Sequence, residues 1–132
     1  MRKIDEIIIH CSATEAGKDF KAKDIDKWHK AKGWNGIGYH FVIDLDGTVE
    51  AGRPVEKQGA HCLDHNATTI GICYIGGLVN KKPTDTRTDA QRQSLRNLVA
   101  ALRHCYPTIV KVSGHNQYAN KACPCFDVTR EF

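Results

Sequence analysis

The segment from Thr69 to Ile75 carries apolar side chains at Ile70, Ile72, Cys73 and Ile75, so no polar face alternates with the apolar one, and Gly76-Gly77 ends it. A strand that is apolar on both sides belongs in the middle of a sheet, with cover above and below. The rest of the chain must therefore supply flanking strands and helices for both faces.

It does so in alternation. Residues 4–10 read as a strand ending in His10, and Gly38 to Ile43 places Tyr39, Phe41 and Ile43 at period two. Asp46-Gly47 is a strong hairpin signal, with Thr48 to Ala51 as the return strand. Ile109 to Val112 is a last strand running into Gly114-His115. Between them, Ile25, Trp28 and Ala31 recur at helical spacing from Asp24 to Lys32, with Gly33 as the stop. Thr88 to Cys105 is the strongest helix: Thr88 and Gln91 form a capping box, and Leu95, Leu98, Val99 and Leu102 make an apolar stripe. Ser12 to Lys23, Gly52 to Thr68 and residues 78–87 read as loops. The expected class is α/β: one domain over residues 1–132, a mixed β-sheet flanked by helices.

Composition narrows the function classes. Nineteen basic and 15 acidic residues leave a net charge of +4, which suits an anionic partner such as a cell wall but falls short of a nucleic-acid footprint. The run Ile7-Ile8-Ile9 is too short for a signal h-region, and no stretch approaches a transmembrane length. The expectation is a monomer, cytoplasmic as synthesised, with no membrane span. At 132 residues the chain can bury a core without staples, so six cysteines argue only weakly for a disulfide framework. Cys11 and Cys73 read as small buried hydrophobes.

Three residues form a candidate metal set: His10 at a strand end, His115 after the last strand, and Cys123 eight residues further on. Imidazole and thiolate suit zinc, and three protein ligands leave a fourth position open. Spacing alone leaves each as an ordinary residue too.

The segments His10-Cys11-Ser12-Ala13-Thr14, Gly33-Trp34-Asn35-Gly36-Ile37-Gly38-Tyr39-His40-Phe41 and Asp46-Gly47-Thr48-Val49-Glu50-Ala51-Gly52-Arg53 occur in that order. Gly59-Ala60-His61, Ile70-Gly71-Ile72-Cys73 and Lys121-Ala122-Cys123-Pro124 follow. Together they resemble the type 2 N-acetylmuramoyl-L-alanine amidases, the family of phage lysozyme-type endolysins and animal peptidoglycan recognition proteins. The likeness runs from about residue 4 to residue 127.

That resemblance implies one zinc ion on His10, His115 and Cys123, with Tyr39 and Lys121 as catalytic residues. It implies a peptidoglycan substrate, the muramyl peptide stem, cut by a zinc-activated water at the bond between N-acetylmuramic acid and L-alanine, with release to the cell wall. In an extended segment Lys121 and Cys123 share a face, which would bring the ammonium beside the metal. Other residues keep two readings. Tyr39 is core by pattern and catalytic by resemblance. His61 and Asn66 either line the substrate groove or stabilise a turn, and Trp34 either packs at the helix exit or walls the groove. His29, His40, His65 and His104 read as structural. Position 125 is Cys where the family has a small Gly or Ser, so a second thiol competes for the metal. Relatives that bind peptidoglycan without cutting it lack the Cys ligand, which is present here.

Overall fold

A computed structural model describes residues 1–132. The central strand of the sequence reading is β5 (Thr69–Tyr74), buried at all six positions. Its neighbours are β1 (Glu6–Cys11) and β3 (Phe41–Ile43), both parallel to it. The sheet runs β4-β3-β5-β1-β8, where β4 (Val49–Ala51) is an antiparallel edge and β8 (Lys111–Gly114) pairs in parallel with β1. The register Ile7↔Ile70 and Ile9↔Ile72 aligns alternate side chains of the two inner strands on one face.

That face is dry. Ile7, Ile9, Cys11, Ile43, Ile70, Ile72 and Tyr74 pack with Leu95, Val99 and Leu102 of α2 (Asp89–Cys105). The expected stripe is the buried stripe, with Leu98 partly buried beside it. Thr88 caps the helix by accepting from the Gln91 amide, and the fully buried Gln91 side chain donates to the carbonyls of Ile43 and Ile75. Those two bonds tie the helix start to the ends of β3 and β5. The opposite face is smaller: Ile25 of α1 (Ala22–Ala31) packs with Ile37, Val42, Cys73 and Ile75.

The structure corrects several expected boundaries. α1 starts two residues early because the Asp24 carboxylate accepts from the Lys21 amide, and Glu50 accepts from that of Ala22. The last strand is Lys111–Gly114 rather than 109–112. The regular strand starts only at Phe41, although Tyr39 and His40 already bond to Arg53, Gly52 and Gly71, and Tyr39 does not share a face with Phe41 and Ile43: it packs on the α1 side, near Val42. Two expected loops contain a second small sheet, β2-β6-β7, of Thr14–Glu15, Gly77–Val79 and Lys82–Pro83. Its turn places Asn80 and Lys81 at φ of 51° and 65°, and the Glu15 carboxylate accepts from both their amides. The Asp46-Gly47 hairpin is as expected, with Gly47 at φ 87°. A short helix, α3 (Val128–Glu131), packs its Val128 into the α2-side core.

Candidate active site

Side chains alternate along β1, so Ile7, Ile9 and Cys11 enter the dry face while His10 projects from the other. His10 is buried there at 1% exposure, near the ends of the parallel strands. β8 runs directly into a single 3-10 turn, His115–Gln117, which delivers His115 to the same place: the two rings lie 4.6 Å apart. Cys123 arrives from the tail, and its Sγ accepts from the Cys11 amide at 3.1 Å. The ligand atoms of His10, His115 and Cys123 all lie within 4.8 Å of one another.

The surroundings keep the imidazoles unprotonated. Burial pushes His10 well below the ordinary histidine range, helped by the charges of His61, His115 and Lys121. Burial and then Lys121 lower His115. Neutral imidazoles offer lone pairs, the form a metal needs. All six cysteines are free. The competing thiol, Cys125, turns away: its Sγ donates to the Gly77 carbonyl and sits 3.9 Å from the Cys11 Sγ, with its pKa pushed up to about 12 by burial. Cys123 is the thiol that faces the two histidines.

Above this cluster opens a groove of about 660 Å³, and Trp34, Tyr39, His61, Asn66, His115 and Lys121 all line it. The Tyr39 ring stands 5.0 Å from that of His10, and burial drives its hydroxyl well above the usual tyrosine range, so it stays a donor. Lys121 is exposed at the rim, two residues before Cys123, on a bend followed by a turn rather than on the extended segment expected. Both residues still converge on the site.

His61 and Asn66 line the groove and also take part in the loop that carries them. The Asn66 side chain accepts from the amides of His61 and Cys62, each at 2.9 Å, which shapes the loop. That loop holds His61 Nδ1 2.9 Å from His10 Nε2. Gly71 of β5 makes room for it, because a Cβ there would come within 2.6 Å of the His61 ring. Trp34 packs 4.5 Å from His29, lines the groove and is 39% exposed.

Some contributors carried no sequence signal. His29 lines the groove, and its Nδ1 accepts from the Gly38 amide at 2.9 Å, which holds the segment bearing Tyr39. Its pKa falls to about 4, chiefly through burial and then Lys32, so its one proton sits on Nε2. Lys32, Leu63, Asp64 and Tyr118 also line the groove. His40 is structural as expected, accepting from the Gly71 amide and bonding the Lys57 carbonyl. His104 is exposed.

Comparison with known proteins shows the family. The N-acetylmuramoyl-L-alanine amidase family model matches residues 1–126, and the chain belongs to that family. It is 44% identical over 127 residues to the endolysin of Escherichia phage T7, covering 96% of this chain and 83% of the relative. It is 43% identical over 130 residues to the endolysin of Klebsiella phage KP32, covering 98% and 85%. Among solved structures, the N-acetylmuramoyl-L-alanine amidase LysC from Clostridium intestinale URNW superposes with a TM-score of 0.84 at 30% identity, covering 98% of this chain and 82% of that one. No helix is long and apolar enough to cross a membrane.

Proposed function

We propose that the chain is a single-domain, zinc-dependent N-acetylmuramoyl-L-alanine amidase that lyses bacterial cell wall as a phage or prophage endolysin. The reading rests on one observation above all, the meeting of His10, His115 and Cys123 beside the groove that His115 lines. Two neutral imidazoles and one thiol, with their ligand atoms within 4.8 Å, fit the tetrahedral N and S preference of zinc and leave one position open. Zinc bound by these three residues would supply a Lewis acid and lower the pKa of a water.

The protein's own groups then do the rest. The groove lays the muramyl peptide across the site so that the lactyl-alanine carbonyl faces Tyr39 and Lys121. The Tyr39 hydroxyl, held protonated by burial, donates toward the carbonyl oxygen as negative charge develops. The Lys121 ammonium adds a fixed positive charge at the rim. His61, against His10 Nε2, steadies the His10 ring and lines the path of the peptide with Trp34 and Asn66.

The direct test combines metal analysis with product analysis. Purified protein is expected to hold one zinc per chain and to release new L-alanine amino termini from peptidoglycan. A product with new reducing sugar ends and no new amino termini would overturn the amidase assignment. Metal-free protein with full turnover would overturn the zinc assignment.

A further inference from the structure

Glu6 is a carboxylate, 8% exposed, on the same face of β1 as His10 but near the other end of the strand. One of its oxygens gathers three neighbours. Its Oε2 accepts from Ser113 Oγ at 2.5 Å and from Tyr118 Oη at 2.6 Å. Lys111 donates to the same Tyr118 hydroxyl at 2.7 Å and lies 4.0 Å from the Glu6 carboxylate. The tyrosine hydroxyl is thus locked from both sides, as acceptor and as donor.

The rest of Tyr118 touches both walls of the groove. Its amide donates to the His115 carbonyl at 3.0 Å, closing the turn that His115 opens. Its ring stacks on His65 at 3.8 Å, tilted by only 23°. His65 belongs to the other wall: its amide donates to the Cys62 carbonyl, and its carbonyl accepts from Thr69 Oγ1 at 2.7 Å. The same loop carries His61, which reaches His10. One side chain, fixed at its tip by a buried carboxylate, therefore holds the His115–Lys121 segment against the 61–66 loop.

We propose that Tyr118 is a positioning residue that sets the width of the groove, and through it the affinity for the muramyl peptide. The proposal rests on the groove being the amidase cleft. Loss of the clamp lets the two walls separate, which loosens the substrate. His10 stays on β1 and Cys123 stays bonded to the Cys11 amide, while His115 and Lys121 lie in the clamped segment, so the loss of affinity brings only a smaller loss in the chemical step.

The test uses zinc-loaded Tyr118→Ala, Tyr118→Phe and His65→Ala with a soluble muramyl tripeptide, and amide hydrogen exchange without substrate. Tyr118→Ala is expected to raise KM about tenfold with kcat within about threefold of wild type. Exchange should quicken in residues 61–66 as well as 115–121. Tyr118→Phe keeps the stack and loses only the lock, so most of the affinity returns. His65→Ala should match Tyr118→Ala, and the double variant should add little, as for two members of one contact. Unchanged KM, or exchange that quickens in 115–121 alone, overturns the clamp. If Tyr118→Ala does not fold, His65→Ala and Tyr118→Phe carry the same readouts. If wild type does not cleave the tripeptide while both loops still quicken together, the clamp stands and the amidase reading falls.

Discussion

The two faces of the sheet are built on opposite terms. On the α2 face every inward residue of β1 and β5 is apolar except the Tyr74 hydroxyl, which donates to the Pro124 carbonyl. On the other face the same strands carry Glu6, His10 and Thr69, and the loops add His61 and His115. The first face supplies stability through buried area. The second holds polar groups that are kept in place by one another, and stability is spent there to position chemistry. Variants on one face should therefore damage what variants on the other leave intact.

The largest separation is expected at the cluster itself. Cys123→Ser should lose zinc and reduce turnover at least a thousandfold, because no other donor replaces the thiol. Cys125→Ser, whose sulfur points to the Gly77 carbonyl, should keep both. Metal analysis and kcat on the two variants decide which thiol binds. Equal losses in both would mean that the loop rearranges and that the two thiols share the role.

A paired comparison then sets the faces against each other. Leu95→Ala empties a site on the dry face that is 1% exposed, and should cost about 2–5 kcal/mol of unfolding free energy while the folded fraction keeps its kcat. Lys121→Ala should do the reverse, losing about 10²–10³ in kcat with zinc content and Tm unchanged. Urea unfolding and turnover on both proteins give a two-by-two result. A Lys121→Ala protein with wild-type turnover would make that ammonium an ordinary solvated charge.

Tyr39→Phe sharpens the contrast within one residue. The ring, which packs beside Val42 on the α1 side, is retained, and only the hydroxyl goes. We expect about a hundredfold loss in kcat with Tm and zinc content nearly constant. A loss below about threefold would leave Tyr39 a packing residue alone.

The same contrast explains what could be read in the sequence. Leu95, Leu98, Val99 and Leu102 were legible because helical periodicity is local, and the box Thr88-Gln91 closes over three residues. The His10, His115 and Cys123 set was legible only through motif order, since no local rule joins residues more than a hundred positions apart. Tyr39 was misplaced onto the Phe41 face because period-two counting assumes an unbroken strand, and the regular strand here starts only at Phe41. The small sheet was missed because its strands are two or three residues long, below what alternation can show. Glu6 and Tyr118 gave no signal, being a lone carboxylate in a strand and a lone tyrosine in a loop, 112 residues apart.

The histidine-rich face should also set the acid limit of the metal-free protein. His29 and His40 titrate at about 4 and His61 at about 3, each lowered mainly by burial, against an ordinary value of 6.5. Below pH 6.5 the unfolded chain takes up protons that these rings refuse, so unfolding is favoured as the pH falls. Their contribution to stability is fully present above 6.5 and is lost progressively down to about 3 to 4. Full exclusion of one proton is worth about 1.4 kcal/mol per pH unit, and partial solvation of His29 and His40 reduces this to roughly 1 or less for each. The Tm of metal-free protein should therefore hold between pH 7 and 8.5 and fall steadily from about 6.5 to 4.5, the window those three shifts define. In His61→Gln the residue can no longer charge, and its bond toward His10 can be kept by the amide, so the fall should be shallower by one histidine's share. A Tm independent of pH across that window in wild type would mean the rings are already solvated, and that the face is far looser than its hydrogen bonds indicate.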